Sequence, residues 1–287
     1  MAAKRVVVAG GNGFLGSRIC KSAVARGWSV TSLSRSGEPR WDTVTSSPSR
    51  PSWASSVEWA KADILKPETY KPFLNGATAV VHSMGILLEA DYKGVVQGRE
   101  PILSGLQKAF SASKPGSQDP LQRREGEPLE VKDRNGQFTY ELMNRDSAIA
   151  LAQETLNEHV PTFLYISAAS GAPVLPSRYI TTKREAESII AAKLPELRSV
   201  FVRAPFMYDE SRKFTLPIAL GGFVGSQVNA LLGNRLDFLG SMVTKPFQVG
   251  DVGEAVVEAL DDESVRGALG IEKIEALATK AWRKSML

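Results

Sequence analysis

Tyr179 and Lys183 are the residues with the clearest potential for chemistry, because they stand four positions apart in Tyr-Ile-Thr-Thr-Lys. On a helix, side chains at this spacing lie on one face. An ammonium group near a phenol favours the phenolate and so lowers the pKa of the phenol. The pair therefore predicts a general acid or base at Tyr179. The alternative is a chance Tyr-x-x-x-Lys on a surface helix.

Ser167 is the third candidate, since it ends a predicted strand 12 residues before Tyr179. Its hydroxyl is expected to hydrogen-bond both a substrate carbonyl and Tyr179. Ser167, Tyr179 and Lys183 lie on a predicted strand and on the helix that follows it. Chance is a poor explanation for this arrangement.

A glycine-rich loop opens the chain, with Gly10, Gly13 and Gly16 between a predicted strand and a predicted helix, and with Phe14 and Leu15 inside the loop. Gly10 permits the tight turn, Gly13 lets the backbone approach a pyrophosphate, and Gly16 allows close helix packing. The start of the helix would then receive the phosphate charge. The loop predicts a bound dinucleotide, and a plain structural turn is the alternative.

The end of the second predicted strand indicates which dinucleotide binds. An acidic residue there would accept the ribose 2′-hydroxyl of NAD(H), but this chain has Ser34 and Arg35 at that place. A guanidinium pairs well with a 2′-phosphate. We therefore expect NADP(H) to be favoured over NAD(H). The alternative is that Arg35 is a solvated surface charge.

Three further residues, Asp63, Ile64 and His82, are assigned to the cofactor site. Asp63, followed by Ile64, is placed to meet the adenine edge, although a helix-capping or turn aspartate is an equal interpretation. His82 ends a buried strand near the same site, where a hydrogen-bonded core histidine is the more common case. Cys20 is expected to be a small buried hydrophobic residue in the first helix.

The elements that must position these residues alternate along the chain. Short apolar runs at residues 6–9, 29–33, 57–60, 79–82, 162–167 and 199–203 predict strands, and residues 15–26, 68–74, 140–158 and 181–194 predict helices. This alternation is typical of βαβ units. It predicts an α/β fold with a doubly wound, parallel Rossmann sheet.

The chain is expected to divide into a Rossmann domain at residues 1–204 and, at residues 205–287, a small substrate lobe with C-terminal helices that pack on the Rossmann domain. Residues 36–56 predict a long loop, and the polar residues 111–137 predict a mobile insertion. The apolar, glycine-rich residues 216–243 either pack the lobe onto the sheet or stay open as an entrance beside the nicotinamide.

Composition excludes several classes of function. The 287 residues are 43% hydrophobic and 23% charged, which is typical of a globular protein. One cysteine and two histidines leave little for a disulfide framework or a metal site, so metal catalysis is not expected. A net charge of +4 without a long basic run gives weak support for nucleic-acid binding. No clear presequence precedes the first strand.

The motifs together resemble the extended and atypical short-chain dehydrogenase/reductase superfamily over nearly the whole chain. Gly10, Gly13 and Gly16 match its cofactor loop, and Ser167, Tyr179 and Lys183 match its catalytic set. The resemblance adds Asn144, which would support Lys183 through a water molecule. Arg203-Ala-Pro205 departs from the superfamily's usual Arg-Pro-Gly, which leaves the start of the substrate lobe uncertain.

Five longer segments are similar to a fungal mitochondrial family associated with coenzyme Q biosynthesis, which is related to the Rossmann accessory subunit of respiratory complex I. The segments are residues 10–20, 34–37, 81–89, 138–144 and 179–187. The resemblance implies a location on the matrix side of the inner membrane, contact with that membrane and with proteins of the coenzyme Q complex, and a prenylated ring compound as substrate. Two hypotheses follow: an NAD(P)-dependent oxidoreductase, or a non-enzymatic dinucleotide-binding subunit of the complex.

Overall fold

A computed structural model describes residues 4–85, 129, 138–170, 177–212, 215–233, 235–236 and 243–286. The strands are β1 (Arg5–Ala9), β2 (Ser29–Ser34), β3 (Val57–Lys61), β4 (Ala79–His82), β5 (Thr162–Ala168), β6 (Arg198–Ala204), β7 (Met207–Tyr208), β8 (Phe247–Gln248) and β9 (Gly267–Leu269). The helices are α1 (Phe14–Ala25), α2 (Trp41–Val44), α3 (Pro67–Leu74), α4 (Ser147–Asn157), α5 (Ser177–Lys193), α6 (Thr215–Leu231), α7 (Val249–Asp261) and α8 (Ile271–Ser285).

Seven strands form one parallel sheet in the order β3-β2-β1-β4-β5-β6-β9. The strands buried on both faces are continuous apolar runs, as Val6, Val7 and Val8 show in β1. The strand order reverses between β1 and β4, and ligands bind at the carboxyl ends of the strands beside such a switch point. The predicted doubly wound Rossmann fold is confirmed.

Two apolar layers cover the sheet. On one face, Ile19 of α1 and Val256 of α7 lie in one core with Val6 and Val8 of β1. On the other face, residues of α3, α4 and α5 form a core with Val7. The helices thereby fix the carboxyl edge of the sheet, where the predicted site residues lie.

The C-terminal part of the chain differs from the predicted division at residue 205. Strand β9 pairs with β6, and α7 and α8 contribute Val256 and Ile274 to the core on the α1 face. Strands β7 and β8 form a separate two-stranded sheet, although Phe247 of β8 also lies in that core. Strand β9 therefore extends the Rossmann sheet beyond residue 204, which was not predicted because a three-residue strand gives too short an apolar run to be recognised.

Residues 36–56, predicted to be a long loop, contain α2 and a 3₁₀ helix at Ser52–Ser56. The rings of Trp41, Trp53 and Trp59 pack together there, with centroids 5.4 to 6.3 Å apart. The many serines and prolines of this segment favour a loop, so the sequence did not predict the aromatic cluster. The predicted insertion at residues 111–137 lies outside the described residues except for Leu129, whose backbone N–H donates to the Leu65 carbonyl.

Candidate dinucleotide-binding active site

The backbone atoms of the glycine loop lie so close to the start of α1 that a side chain at Gly16 would not fit. Gly10 has φ +83°, and a Cβ on Gly16 would lie 2.1 Å from the Gly10 carbonyl oxygen. Gly13 precedes α1 in extended conformation and supplies no capping side chain. Leu15 is buried and Phe14 half-buried. The backbone N–H groups of the first turn of α1 are therefore left for a ligand, and they suit a phosphate.

Arg212 brings a positive charge to this loop that the sequence did not predict. It lies in the 3₁₀ helix Glu210–Arg212, and its guanidinium carbon is 4.0 Å from the ring centroid of Phe14. The ion pair between Arg18 of α1 and Asp209 fixes the neighbouring segment against the same helix. The start of the small lobe thus packs on the loop predicted to bind the pyrophosphate.

An apolar crevice lies at the carboxyl ends of β1, β2 and β3. Its lining residues are Ala9, Leu33, Ala62, Ile64, Tyr70 and Met84. Ile64 lies at this edge of the sheet, and its contact with adenine stays a prediction. The Asp63 carboxylate accepts the Leu65 N–H at 3.1 Å, and its backbone N–H donates to Thr69 Oγ1. Asp63 therefore has the turn-forming role that was its alternative interpretation.

Arg35 is exposed at the end of β2, with its guanidinium 5.2 Å from the ring of Phe138. Among the described residues no carboxylate pairs with it, so its hydrogen-bond donors can meet a phosphate. The buried Ser34 hydroxyl instead donates to the Gly37 carbonyl at 2.8 Å. Ser34, assigned to the cofactor from the sequence, holds the turn that presents Arg35.

Lys183 is buried on α5 and donates to two oxygens of β5. Its Nζ lies 3.3 Å from Tyr165 Oη and 3.1 Å from the Ile166 carbonyl. Burial lowers the pKa of Lys183 to about 7, against the raising effect of Glu187. The ammonium and neutral forms are therefore both populated near neutral pH.

Tyr165 connects Lys183 to Asn144. Its Oη donates to the Asn144 backbone carbonyl at 2.5 Å, and Asn144 lies in a π-helical turn, Glu141–Asp146. Such turns are frequent at functional sites. The Tyr165 hydroxyl thus links Lys183 to the backbone of Asn144, and the predicted water between Asn144 and Lys183 stays a prediction. Sequence reasoning missed Tyr165 because an aromatic residue in an apolar strand is usually core.

Tyr179 and Lys183 share one face of α5, as predicted, with Lys183 Nζ 5.8 Å from the Tyr179 ring centroid. The Tyr179 ring packs edge-on against Tyr140. The prediction that Lys183 lowers the pKa of Tyr179 is wrong, because burial raises it to about 12 and only Arg184 opposes this. Tyr179 is therefore a neutral phenol at pH 7, able to donate a proton.

Ser167 makes contacts other than the predicted one with Tyr179. Its Oγ donates to the Glu187 carboxylate at 2.5 Å and accepts from Arg184 at 3.0 Å. Glu187 also pairs with Arg203 on β6. The reason is that Glu187 lies two turns beyond Tyr179 on the same helix, where its carboxylate accepts the hydrogen bond of the Ser167 hydroxyl. The structure does not bring Ser167 and Tyr179 together.

Ser170 lies just beyond the end of β5. Its Oγ is buried and has no hydrogen-bond partner among the described residues, and each such group in a native protein calls for an explanation. The sequence offered no signal for it other than a second serine three positions after Ser167. Ser170 is therefore a further candidate, besides Ser167, for holding a substrate oxygen.

His82 is fully buried behind Tyr165, with ring centroids 5.4 Å apart. Its Nε2 lies 3.0 Å from Ser147 Oγ, which itself donates to the Met143 carbonyl. Burial, with a smaller effect from Lys183, lowers the pKa of His82 to about 3. It is a neutral core histidine, which was the common alternative to a cofactor contact.

Comparisons with known proteins agree with this geometry. The sequence pattern of the NAD dependent epimerase/dehydratase family matches residues 6–91. Solved structures of UDP-glucuronic acid 4-epimerase from Bacillus cereus, in complex with NAD, and of aldohexose dehydrogenase from Thermoplasma acidophilum have TM-scores of 0.52 and 0.53. They are 17% and 13% identical, and cover 93% and 96% of this chain and 78% and 94% of their own. These likenesses show the fold.

A relative of higher identity shows the family. MIOREX complex component 2 of Saccharomyces cerevisiae is 33% identical over 94% of this chain and 98% of its own length. The matched region extends through both the Rossmann layers and the small lobe. The chain therefore belongs to the short-chain dehydrogenase/reductase superfamily, in the family that includes this yeast protein.

Proposed function

We propose that the protein is an NAD(P)-dependent oxidoreductase of the short-chain dehydrogenase type. The observation that carries the proposal is the buried Lys183 beside Tyr179, at the carboxyl edge of a sheet whose glycine loop excludes side chains. A buried amine and a phenol at the switch point of a Rossmann sheet suit proton transfer next to a dinucleotide.

The described residues supply two contacts for a dinucleotide. The first turn of α1 suits the pyrophosphate and Arg35 a 2′-phosphate, and Ile64 lies at the edge of the sheet where we propose that the adenine binds. When bound, the nicotinamide would supply hydride exchange with a carbonyl or alcohol carbon. Tyr179 holds the proton at Oη, Lys183 holds the nicotinamide ribose, and Ser170 orients the substrate oxygen.

The test is to supply NADPH or NADH with a panel of quinone precursors and to follow the nicotinamide absorbance. The proposal expects oxidation of the dinucleotide with at least one precursor. Dinucleotide binding without turnover of any precursor would favour a non-enzymatic role.

Cofactor preference is expected to depend on Arg35. A 2′-phosphate gains a charge-assisted contact with its guanidinium, so NADPH should bind more tightly than NADH. Arg35→Asp should narrow or reverse that difference. We expect the ratio of the two affinities to change by about tenfold or more, as for the loss of one hydrogen bond to a charged group. Equilibrium titration of both dinucleotides measures it, with the exposed Arg40→Asp as control, since Arg40 pairs only with nearby Asp42. Equal affinities in the unmodified protein would make Arg35 an ordinary surface charge.

We place this activity in mitochondrial coenzyme Q biosynthesis, on the matrix side of the inner membrane. The support is the resemblance of the five segments and the relationship to a yeast protein named as a component of a complex. A prenylated ring compound is the proposed substrate, and proteins of the coenzyme Q biosynthetic complex are the proposed partners.

Helix α6 supplies the surface that such a substrate requires. Residues 214–234 contain no charged side chain, and Leu220, Phe223 and Leu231 are 66%, 46% and 87% exposed. A surface helix normally turns polar residues outward. Basic residues Arg212, Lys213, Arg235 and Lys245 flank this stretch and Asp237 is the one acidic residue between them, which suits peripheral contact with an anionic membrane.

A groove of about 310 Å³ runs along α6. Its lining residues are Tyr208, Leu216, Ala219, Leu220, Phe223, Lys245 and Pro246. We propose that this groove receives the polyprenyl tail while the ring reaches Tyr179. No helix among the described residues is long and apolar enough to cross a bilayer, so the proposed contact is with the membrane surface.

Phe223→Asp is expected to weaken binding to anionic liposomes and to reduce activity on long-tailed substrates more than on short-tailed ones. The reason is that a carboxylate in the groove opposes both apolar burial and anionic lipid. Liposome sedimentation and kcat/KM for two tail lengths measure the effect. The control is Trp282→Asp, because Trp282 is also a large exposed aromatic residue, 60% exposed against 46% for Phe223, but lies on α8, outside the groove. Equal losses for both tail lengths would leave α6 without a role in substrate binding.

A non-enzymatic dinucleotide-binding subunit is the second candidate. The observation in its favour is that the hydroxyl of Ser167, the predicted catalytic serine, already forms hydrogen bonds with Glu187 and Arg184. A scaffold needs no proton donor, however, and the structure retains Tyr179 and Lys183 together. The precursor panel separates the two functions.

A further inference from the structure

The environment of Lys183 shows which of its three N–H bonds are in use. An ammonium group has three donors and no acceptor. One points to Tyr165 Oη and one to the Ile166 carbonyl, both on β5. The described residues offer no third acceptor. The remaining donor is therefore available to a ligand.

The direction of the Tyr165 hydroxyl is fixed by its other bond. Because Oη donates its hydrogen to the Asn144 carbonyl at 2.5 Å, only its lone pairs are left for Lys183. Tyr165 is fully buried, so no solvent competes for these positions. The hydroxyl is thus a fixed acceptor for the amine.

We propose that Tyr165 is a positioning residue: it replaces a bridging water and directs the third N–H of Lys183 toward the nicotinamide ribose. The proposal rests on the proposed dehydrogenase function for the identity of the ligand, but not for the Tyr165–Lys183 contact itself. A side chain held by a strand and a helix turn cannot leave the site as a water can. The amine is therefore oriented before any dinucleotide arrives, which lowers the ordering cost of binding.

The titration of Lys183 in the free protein reports this contact. The titratable and charged groups that face it are Tyr165 on β5, Tyr179, Arg184 and Glu187 on α5, and His82 on β4. No hydrogen bond joins the Tyr165 hydroxyl to Arg184, Glu187 or His82, so a Tyr165→Phe variant leaves their own hydrogen bonds in place. The variant removes one acceptor from the ammonium form, so the pKa of Lys183 should fall.

The experiment is nuclear magnetic resonance of protein labelled with ¹³C and ¹⁵N in lysine, without dinucleotide, with the Lys183 signal assigned by its loss in Lys183→Met. We expect a midpoint near pH 7 in the unmodified protein and a midpoint about one unit lower in Tyr165→Phe, as for one hydrogen bond to a charged group. Thr155→Val is the matched control. It also removes one buried hydroxyl donating to a backbone carbonyl, that of Leu151, and Thr155 is not a hydrogen-bond partner of Lys183. An unchanged midpoint in Tyr165→Phe overturns the proposal.

If the Tyr165→Phe variant does not fold, a second measurement tests the same contact. Tyr165 is replaced by 3-fluorotyrosine, which keeps the hydroxyl, and its ¹⁹F shift is followed against pH. The expected shift has the same midpoint as Lys183, and a signal that does not respond overturns the proposal. Both measurements use the free protein, so they remain decisive if no substrate is turned over. Failure of turnover bears on the proposed function alone.

Discussion

Tyr179→Phe is expected to lower kcat by about 10²–10⁴-fold, the usual contribution of a general acid. The substitution keeps the ring that packs against Tyr140 and removes only the hydroxyl. Since burial raises the pKa of Tyr179 to about 12, the phenol is protonated through the physiological range and acts as the donor in the direction of carbonyl reduction. Dinucleotide affinity should stay the same, because Lys183 keeps its two bonds to β5.

The control for this variant is Tyr140→Phe, which loses a hydroxyl from the ring beside Tyr179. We expect turnover within about tenfold of the unmodified protein, as for a surrounding group rather than the proton donor. Steady-state kinetics and a dinucleotide titration on the same samples separate kcat from binding. If Tyr179→Phe turned over as fast as the unmodified protein, the assignment of the proton donor would be wrong.

Gly16→Ala is expected to weaken dinucleotide binding by about 100-fold. A Cβ at this position would lie 2.1 Å from the Gly10 carbonyl oxygen and 2.8 Å from Gly11 Cα. These are backbone atoms, so the loop must move away from the start of α1. Overpacking of this kind costs about 1–3 kcal/mol, and a displaced loop no longer aligns its N–H groups with a phosphate. Equilibrium titration with NADPH measures the loss.

Gly250→Ala is the matched control, because Gly250 also lies near the start of a helix, α7, and a Cβ there would meet nothing within 4 Å. It should bind the dinucleotide as the unmodified protein does. Thermal unfolding of both variants shows whether the loop change spreads to the fold. Unchanged affinity in a folded Gly16→Ala variant would mean that the loop is only a structural turn.

The sheet could be predicted because its signal is local. In β1 every residue from Val6 to Ala9 is buried, and a strand covered on both faces must be apolar throughout. The glycine loop between β1 and α1 then set the position of the site. Strand β9 has three residues and no such run, so its place beside β6 depends on packing between α7, α8 and the sheet.

The site was predicted in part, since sequence spacing shows which residues share a helix face but not which partner each side chain finds. Tyr179 and Lys183 lie together as their spacing required. Ser167 was assigned to Tyr179 although Glu187, farther along the same helix, holds its hydroxyl. The pKa of Tyr179 could not be read from its neighbours either, because burial of the phenol outweighs nearby charges.

The central claim is that this site binds a dinucleotide with its nicotinamide beside Tyr179 and Lys183. A crystal structure of the protein with NADPH tests it most directly. The account predicts the pyrophosphate at the start of α1, the 2′-phosphate on Arg35, and a ribose hydroxyl within hydrogen-bond distance of Lys183 Nζ. A dinucleotide bound with its nicotinamide away from Tyr179, or no dinucleotide at a saturating concentration, would contradict it.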